Sequence, residues 1–155
     1  MARSKGYDPI ILAKKTEEIV VKGNQRKYVQ LGRYLRFYGG TSSATEVGCN
    51  LRCKFCFSQE PVWKPASTGT FFTPQEVFNG LVKNAKKHGN KIISAAASEG
   101  TLGKEHLFEL LRLVAPPDYV YVFETNGMTL GADVEYCKAL AQFKNLHVRV
   151  SIKGC

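Results

Sequence analysis

Apolar residues recur along this chain with two periods, and the periods alternate. After Thr73-Pro74-Gln75-Glu76, the positions Val77, Phe78, Leu81, Val82 and Ala85 fall three and four apart, which is one face of a helix. Threonine suits the cap, proline the first helical position, and glutamate three residues on completes a capping box. His88-Gly89-Asn90 closes this helix. A second stripe, Leu107, Leu110, Leu111 and Val114, predicts a helix from about Lys104 to Val114, stopped by Pro116-Pro117. A third begins near Asp133 and puts Val134, Cys137, Leu140 and Ala141 on one face, so Cys137 is expected as a buried core thiol. Between the helices lie short β-rich runs: Lys91 to Ala97, Tyr119 to Phe123 and Leu146 to Ile152. A further strand around Ser43 to Val47 leads into Cys49.

This alternation predicts an α/β fold with a parallel sheet and right-handed crossovers. About four parallel strands and three helices are expected. Parallel barrels carry their chemistry on the loops that follow the strand C-termini. Four stretches fall at such ends: the loop from Cys49, Ser98-Glu99-Gly100, Glu124-Thr125-Asn126-Gly127 and Lys153-Gly154.

Residues 1–42 read as a basic N-terminal extension, and residues 43–155 as the barrel core. In the extension, Ile19-Val20-Val21 and Tyr28-Val29-Gln30-Leu31 are candidates for a hairpin across Lys22-Gly23-Asn24. Tyr34 to Tyr38 is aromatic and reads as a strand or a partner surface. Glu60 to Gly69, with Pro61, Pro65, Ser67 and Thr68, reads as a surface loop. At 155 residues the length fits one domain with a real core.

The formal net charge is +9. Nine basic residues lie in the first 36 positions against Asp8, Glu17 and Glu18. Such a stretch suits phosphates or an acidic protein partner, and equally a solvated basic surface. No apolar run is long enough to cross a membrane, and no secretory signal is visible, so a cytoplasmic protein is expected.

The sharpest chemical signal is Cys49-Asn50-Leu51-Arg52-Cys53-Lys54-Phe55-Cys56, a C-x3-C-x2-C run. Three thiolates can hold three irons of a [4Fe–4S] cube and leave the fourth iron open. An open metal position belongs to catalytic sites. Structural zinc would want a fourth ligand, and no second pair stands at zinc spacing. A disulfide framework is the other alternative; five cysteines and a chain of this length argue against it. His106 and His147 have no partner at motif spacing and read as surface or core residues. Cys155 reads as a ligand, a free thiol or an incidental last residue.

The triad resembles that of the radical S-adenosylmethionine (radical SAM) superfamily, and the likeness runs from about Ser43 onward. It implies Cys49, Cys53 and Cys56 as cluster ligands, with SAM chelating the open iron, and Phe55 beside the adenine. Ala97-Ser98-Glu99-Gly100 stands where the family has Gly-Gly-Glu-Pro, whose backbone and carboxylate hold the SAM amine. Both glycines are replaced, and positive φ at either position would cost about 1 kcal/mol or more.

Within the superfamily, Glu124-Thr125-Asn126-Gly127 is similar to the Asp-Thr-Asn-Gly of glycyl-radical-enzyme activases. Val150-Ser151-Ile152-Lys153 resembles their Asp-Leu-Lys stretch. The resemblance implies SAM contacts at Thr125 and Asn126, a ribose contact at Ser151 and a carboxylate contact at Lys153. It also implies a flavodoxin or ferredoxin as electron donor, an oxidoreductase activity and a protein glycine as hydrogen donor. A tRNA-modifying radical SAM enzyme is the alternative, and an iron–sulfur electron-transfer module or remnant is a third. The resemblance implies a partial (β/α) barrel, and the family barrel has more strands than this chain supplies. Leu146 to Ile152 is therefore expected as an edge strand, in a fragment, a shortened relative or a chain completed by a second one.

Overall fold

The computed structural model describes residues 7–116 and 119–153. Pro117 and Cys155 lie outside them, as do Arg3 and Lys5 of the basic stretch.

The chain opens with helix α1 (Pro9–Val20), which the periodicity did not reveal. Asp8 caps it, its carboxylate accepting from the N–H groups of Ile10 and Ile11. Only Ala13, Thr16 and Val20 are buried, and charged residues between them break up the apolar signal. Strand β1 (Val21–Lys22) pairs antiparallel with β2 (Gln25–Leu35), and the tight turn uses Gly23 at φ +58. The candidate hairpin is present, but Ile19 and Val20 end the helix instead of forming its first strand. Phe37–Gly39 is a single 3-10 turn.

Strand β3 (Thr41–Glu46) leads into the cysteine loop. The stretch after it is not all loop. Helix α2 (Gln59–Trp63) and strand β4 (Thr70–Phe72) flank its middle, and β4 pairs with β2. Lys27 Nζ donates to the carbonyls of Pro65 and Ala66 and ties that middle down.

Helix α3 (Pro74–His88) has the predicted capping box, with Glu76 N to Thr73 Oγ1 at 3.3 Å and Thr73 N to Glu76 Oε2 at 2.8 Å. It ends at Gly89 in the left-handed conformation. Strand β5 (Ile92–Ala96), helix α4 (Lys104–Val114) and strand β6 (Val120–Thr125) follow, then helices α5 (Met128–Ala132) and α6 (Val134–Leu140) and strand β7 (Leu146–Val150).

One seven-stranded sheet results, in the order β1-β2-β3-β5-β6-β7, with β4 branching from β2. β3, β5, β6 and β7 run parallel, in the register Ser43↔Ser94↔Val122↔His147. The sheet curls into a half-barrel with α3 and α4 packed on its outer face. Val77, Leu81, Leu107, Leu110, Ile93 and Phe123 form the centre of that packing. β7 is the edge, paired on one side only.

Three of the four positions predicted on the buried face of the third helix, Val134, Cys137 and Ala141, are exposed. The buried face of α6 is Tyr136 and Leu140, so of the predicted stripe only Leu140 is buried. Tyr136 sets the phase: its bulk is buried and its hydroxyl donates to Thr101 O at 3.1 Å.

Candidate functional site

The strand ends do meet. A cavity of 1170 Å³ opens on the concave side of the half-barrel. Cys49, Cys53, Cys56 and Phe55 border it from the loop after β3, and Ala97, Ser98 and Glu99 from the loop after β5. Thr125 and Asn126 come from the end of β6, Ser151 and Lys153 from the end of β7. All eleven residues singled out in the sequence therefore face one space.

The cysteine loop is fixed at its root. Gly48 N donates to Pro61 O at 3.0 Å, and Glu99 N donates to Gly48 O at 3.0 Å. Helix α1 lies beneath it. Thr16 Oγ1 reaches Cys49 O, and a Cβ on Gly48 would sit 2.9 Å from Thr16 Cγ2. Gly48 also holds φ +96, so both space and backbone call for glycine there. Beyond the root the loop is open: the three cysteines are part-exposed, and Phe55 and Phe57 are largely exposed at 71% and 87%. Phe55 is thus not a core residue.

Cys49 is part-buried, like the other two thiols. Burial pushes it up to about 11, against the pull of the Leu51 N–H on its sulfur. A metal must displace that proton to bind. Among the described residues, no three His, Cys, Asp or Glu side chains are gathered closely enough for a single ion. A cube asks for something else, because its thiolates bind three separate irons and stand further apart than ligands sharing one ion. Three uncrosslinked thiols bordering one cavity fit that donor set.

The loop after β5 carries the strain expected of it. Ala97 has φ +77, one of two non-glycine residues in the left-handed region among the described residues. The backbone thus takes the shape a glycine would take there, with a methyl group added, and the residues fit a ligand held by backbone. Ser98 Oγ donates to Glu46 O at 2.8 Å.

Glu99 is buried, and its carboxylate knits two loops together. Oε1 accepts from Thr101 N, Thr101 Oγ1 and Thr125 Oγ1 at 3.2, 2.7 and 2.5 Å. Among the described residues Oε2 accepts only from Asn126 N, at 2.8 Å, which leaves it room for one further donor. Asn126 Nδ2 continues to Asn50 Oδ1 at 2.7 Å and to the Cys49 sulfur at 3.8 Å. Ser151 N donates to Thr125 O at 2.8 Å, and Lys153 stands exposed at the rim.

The sequence of residues 45–155 matches the radical SAM superfamily. This chain belongs to that superfamily. The match spans the cysteine triad and all four strand ends, and the partial barrel is the fold it calls for. No curated protein matches the chain. Radical SAM proteins in general bind a [4Fe–4S] cluster and SAM. Among the described residues no helix is long and apolar enough to cross a membrane.

Two residues of this radical SAM site gave no signal in the sequence. Asn50 is fully buried inside the cysteine signature and bonds Asn126. Arg26, from β2, is 1% exposed beneath the loop after β5. Its guanidinium pairs with Glu46 at 3.1 Å. Burial pushes the Glu46 carboxyl up to about 7 despite Arg26 beside it. His106, by contrast, is a satisfied core histidine between Tyr28 Oη at 2.9 Å and Asn24 O at 2.8 Å. His147 sits exposed on β7 and borders the cavity.

Proposed function

We propose that this protein is a radical SAM oxidoreductase that takes a hydrogen atom from its substrate, a protein glycine being the favoured donor. The carrying observation is that the C-x3-C-x2-C loop and the three other strand ends border a single cavity. Bound to the three thiolates, a reduced [4Fe–4S] cluster with one open iron would supply the one electron that splits SAM into methionine and a 5′-deoxyadenosyl radical. Cys49, Cys53 and Cys56 would hold the cluster. Glu99 Oε2, with its spare acceptor capacity, would take the SAM ammonium, and the Ala97-Ser98 backbone would run alongside it. Lys153 would meet the SAM carboxylate and Ser151 a ribose hydroxyl, with Thr125 and Asn126 shaping the wall between them. Phe55 is free to cover the adenine. The largely apolar lining of the cavity would limit the water that meets a reactive radical.

The resemblance of Glu124-Thr125-Asn126-Gly127 to the activases favours glycine over an RNA base. We infer an acidic flavodoxin or ferredoxin as the electron donor, met by Arg52 and Lys54 beside exposed Phe55 and Phe57. Donor binding that ignores added salt would count against that docking.

The deciding experiment is anaerobic reconstitution with iron and sulfide, then EPR of the reduced protein with and without SAM. Near four irons per chain and a spectrum that changes with SAM are expected. Zinc in place of iron, or a spectrum indifferent to SAM, would overturn the reading. Deuterium appearing in 5′-deoxyadenosine after incubation with glycine-deuterated cell protein tests the donor; deuterium from labelled tRNA instead would favour RNA modification.

A further inference from the structure

The buried cation under the loop after β5, Arg26, does not border the cavity, and it lies outside the stretch that matches the superfamily. Three carbonyls of that loop, at 99, 100 and 102, turn toward it. Arg26 Nη2 donates to Glu99 O at 2.7 Å, and Nη1 to Gly100 O at 3.2 Å and Leu102 O at 2.5 Å. Glu46 Oε1 sits 3.1 Å from Nη1 and holds the guanidinium from the strand side. Arg26 Nε and Glu46 Oε2 are buried with no partner among the described residues. A buried pair with orphaned atoms is poorly compensated for its lost hydration, so stability alone is a weak reason for it.

Peptide geometry says what the arrangement achieves. In a planar trans peptide a carbonyl and the following N–H point in opposite directions. Carbonyls drawn to Arg26 at 100 and 102 thus turn the N–H groups of Thr101 and Gly103 the other way. Thr101 N meets Glu99 Oε1 at 3.2 Å, and Gly103 N meets Glu17 Oε1 at 2.8 Å. The first of these orients the carboxylate whose Oε2 remains available to a ligand. A left-handed alanine persists only where its surroundings over-determine it, and this cage adjoins Ala97.

We propose that Arg26 is a positioning residue: it holds residues 97–102 in the ligand-ready shape and stands in for the conformational ease that glycine at 97 would give. The proposal deepens the SAM-binding reading and rests on it for its ligand.

The test uses the full chain and the Arg26→Lys substitution, which keeps the charge and loses the fork, alone and combined with Ala97→Gly. Hydrogen–deuterium exchange without SAM reads the loop directly. Peptides covering 97–103 should exchange about tenfold faster in Arg26→Lys, with those of α3 unchanged. Unchanged exchange in the loop overturns the positioning role whether or not SAM binds. The SAM dissociation constant, read from the EPR change, should rise about tenfold in Arg26→Lys at unchanged iron content. Adding Ala97→Gly should recover most of that loss, a larger effect on the constant than the same change has in the native background. Equal effects of Ala97→Gly in both backgrounds overturn the compensation argument. So does a more than tenfold tightening in the native background, a result that needs no Arg26 variant to fold. A native protein that shows no SAM-dependent spectrum refutes the SAM reading alone, since the exchange result stands apart from it.

Discussion

Replacing Ala97 by glycine should stabilise this protein, which is the reverse of the usual effect of glycine in a loop. Ala97 sits at φ +77, where its Cβ crowds the backbone. An L-residue in that region carries about 1–2 kcal/mol of strain that glycine does not. Glycine also adds freedom to the unfolded chain, worth about 0.4–1 kcal/mol in the opposite direction. The net expectation for Ala97→Gly is a gain of about 0.5–1 kcal/mol, seen as a higher urea midpoint at unchanged slope under anaerobic conditions. The neighbouring Ser98→Gly gives the control of opposite sign. Ser98 is not in the left-handed region, so no strain is relieved there. The substitution removes the 2.8 Å bond to Glu46 O, and stability should fall by about 1–2 kcal/mol. A fall in midpoint for Ala97→Gly, or the same sign for both variants, would refute the claim that the strain sits at 97.

Gly100→Ala should destabilise by about 1–3 kcal/mol in the same urea assay, because its Cβ would lie 2.4 Å from Phe123 Cε2 and 2.9 Å from Glu124 O. Gly131→Ala, with nothing within 4 Å, should be neutral or mildly stabilising. His106 is held down to about 4 by burial, while an unfolded histidine titrates near 6.5. The unfolded chain therefore takes up the proton first as pH falls, and the stabilisation present above pH 6.5 is lost toward pH 4. The stability advantage of the native protein over His106→Gln should shrink by about 2 kcal/mol between pH 7 and pH 5, and a constant difference would refute it. Cys137→Ala should keep full iron after reconstitution, whereas Cys53→Ala should lose the cluster; equal iron in both would dissolve the distinction drawn between exposed α6 and the triad loop.

What the sequence carries is set by how local the physics is. The stripe of α3 and its capping box lie within a dozen residues of one another, and both appear as read. The parallel strands follow from their alternation with helices, and barrel topology then brings their ends together without further information. α1 was invisible because only three of its twelve residues are buried, and Lys14, Lys15, Glu17 and Glu18 interrupt the pattern. The phase of α6 was misread because a seven-residue helix is too short for periodicity to fix, and the tie from Tyr136 to Thr101 is tertiary. Arg26 could not be found at all: it meets its carbonyls across more than 70 residues, and an arginine in a basic stretch reads as surface.

The cysteine loop combines a rigid root with an open tip, and the two properties serve different steps. Under the proposed reading, cluster assembly would need thiols that solvent-borne iron and sulfide can reach, and Cys53 is part-exposed beside exposed Phe55 and Phe57. Ligand binding would need the triad held in place against the loops after β5 and β6. The bonds Glu99 N to Gly48 O and Asn126 Nδ2 to Asn50 Oδ1 fix the root to both of those loops. Buried Glu99 joins the same two loops to each other. Loss of the Asn50 contact should therefore separate the two steps. Asn50→Ala is expected to retain its iron, because no thiol is touched, and to weaken SAM binding about tenfold as Asn126 loses its partner. Iron content and the SAM-dependent EPR change, measured on the same sample, decide it: iron lost in proportion to SAM binding would mean that root and tip are one unit.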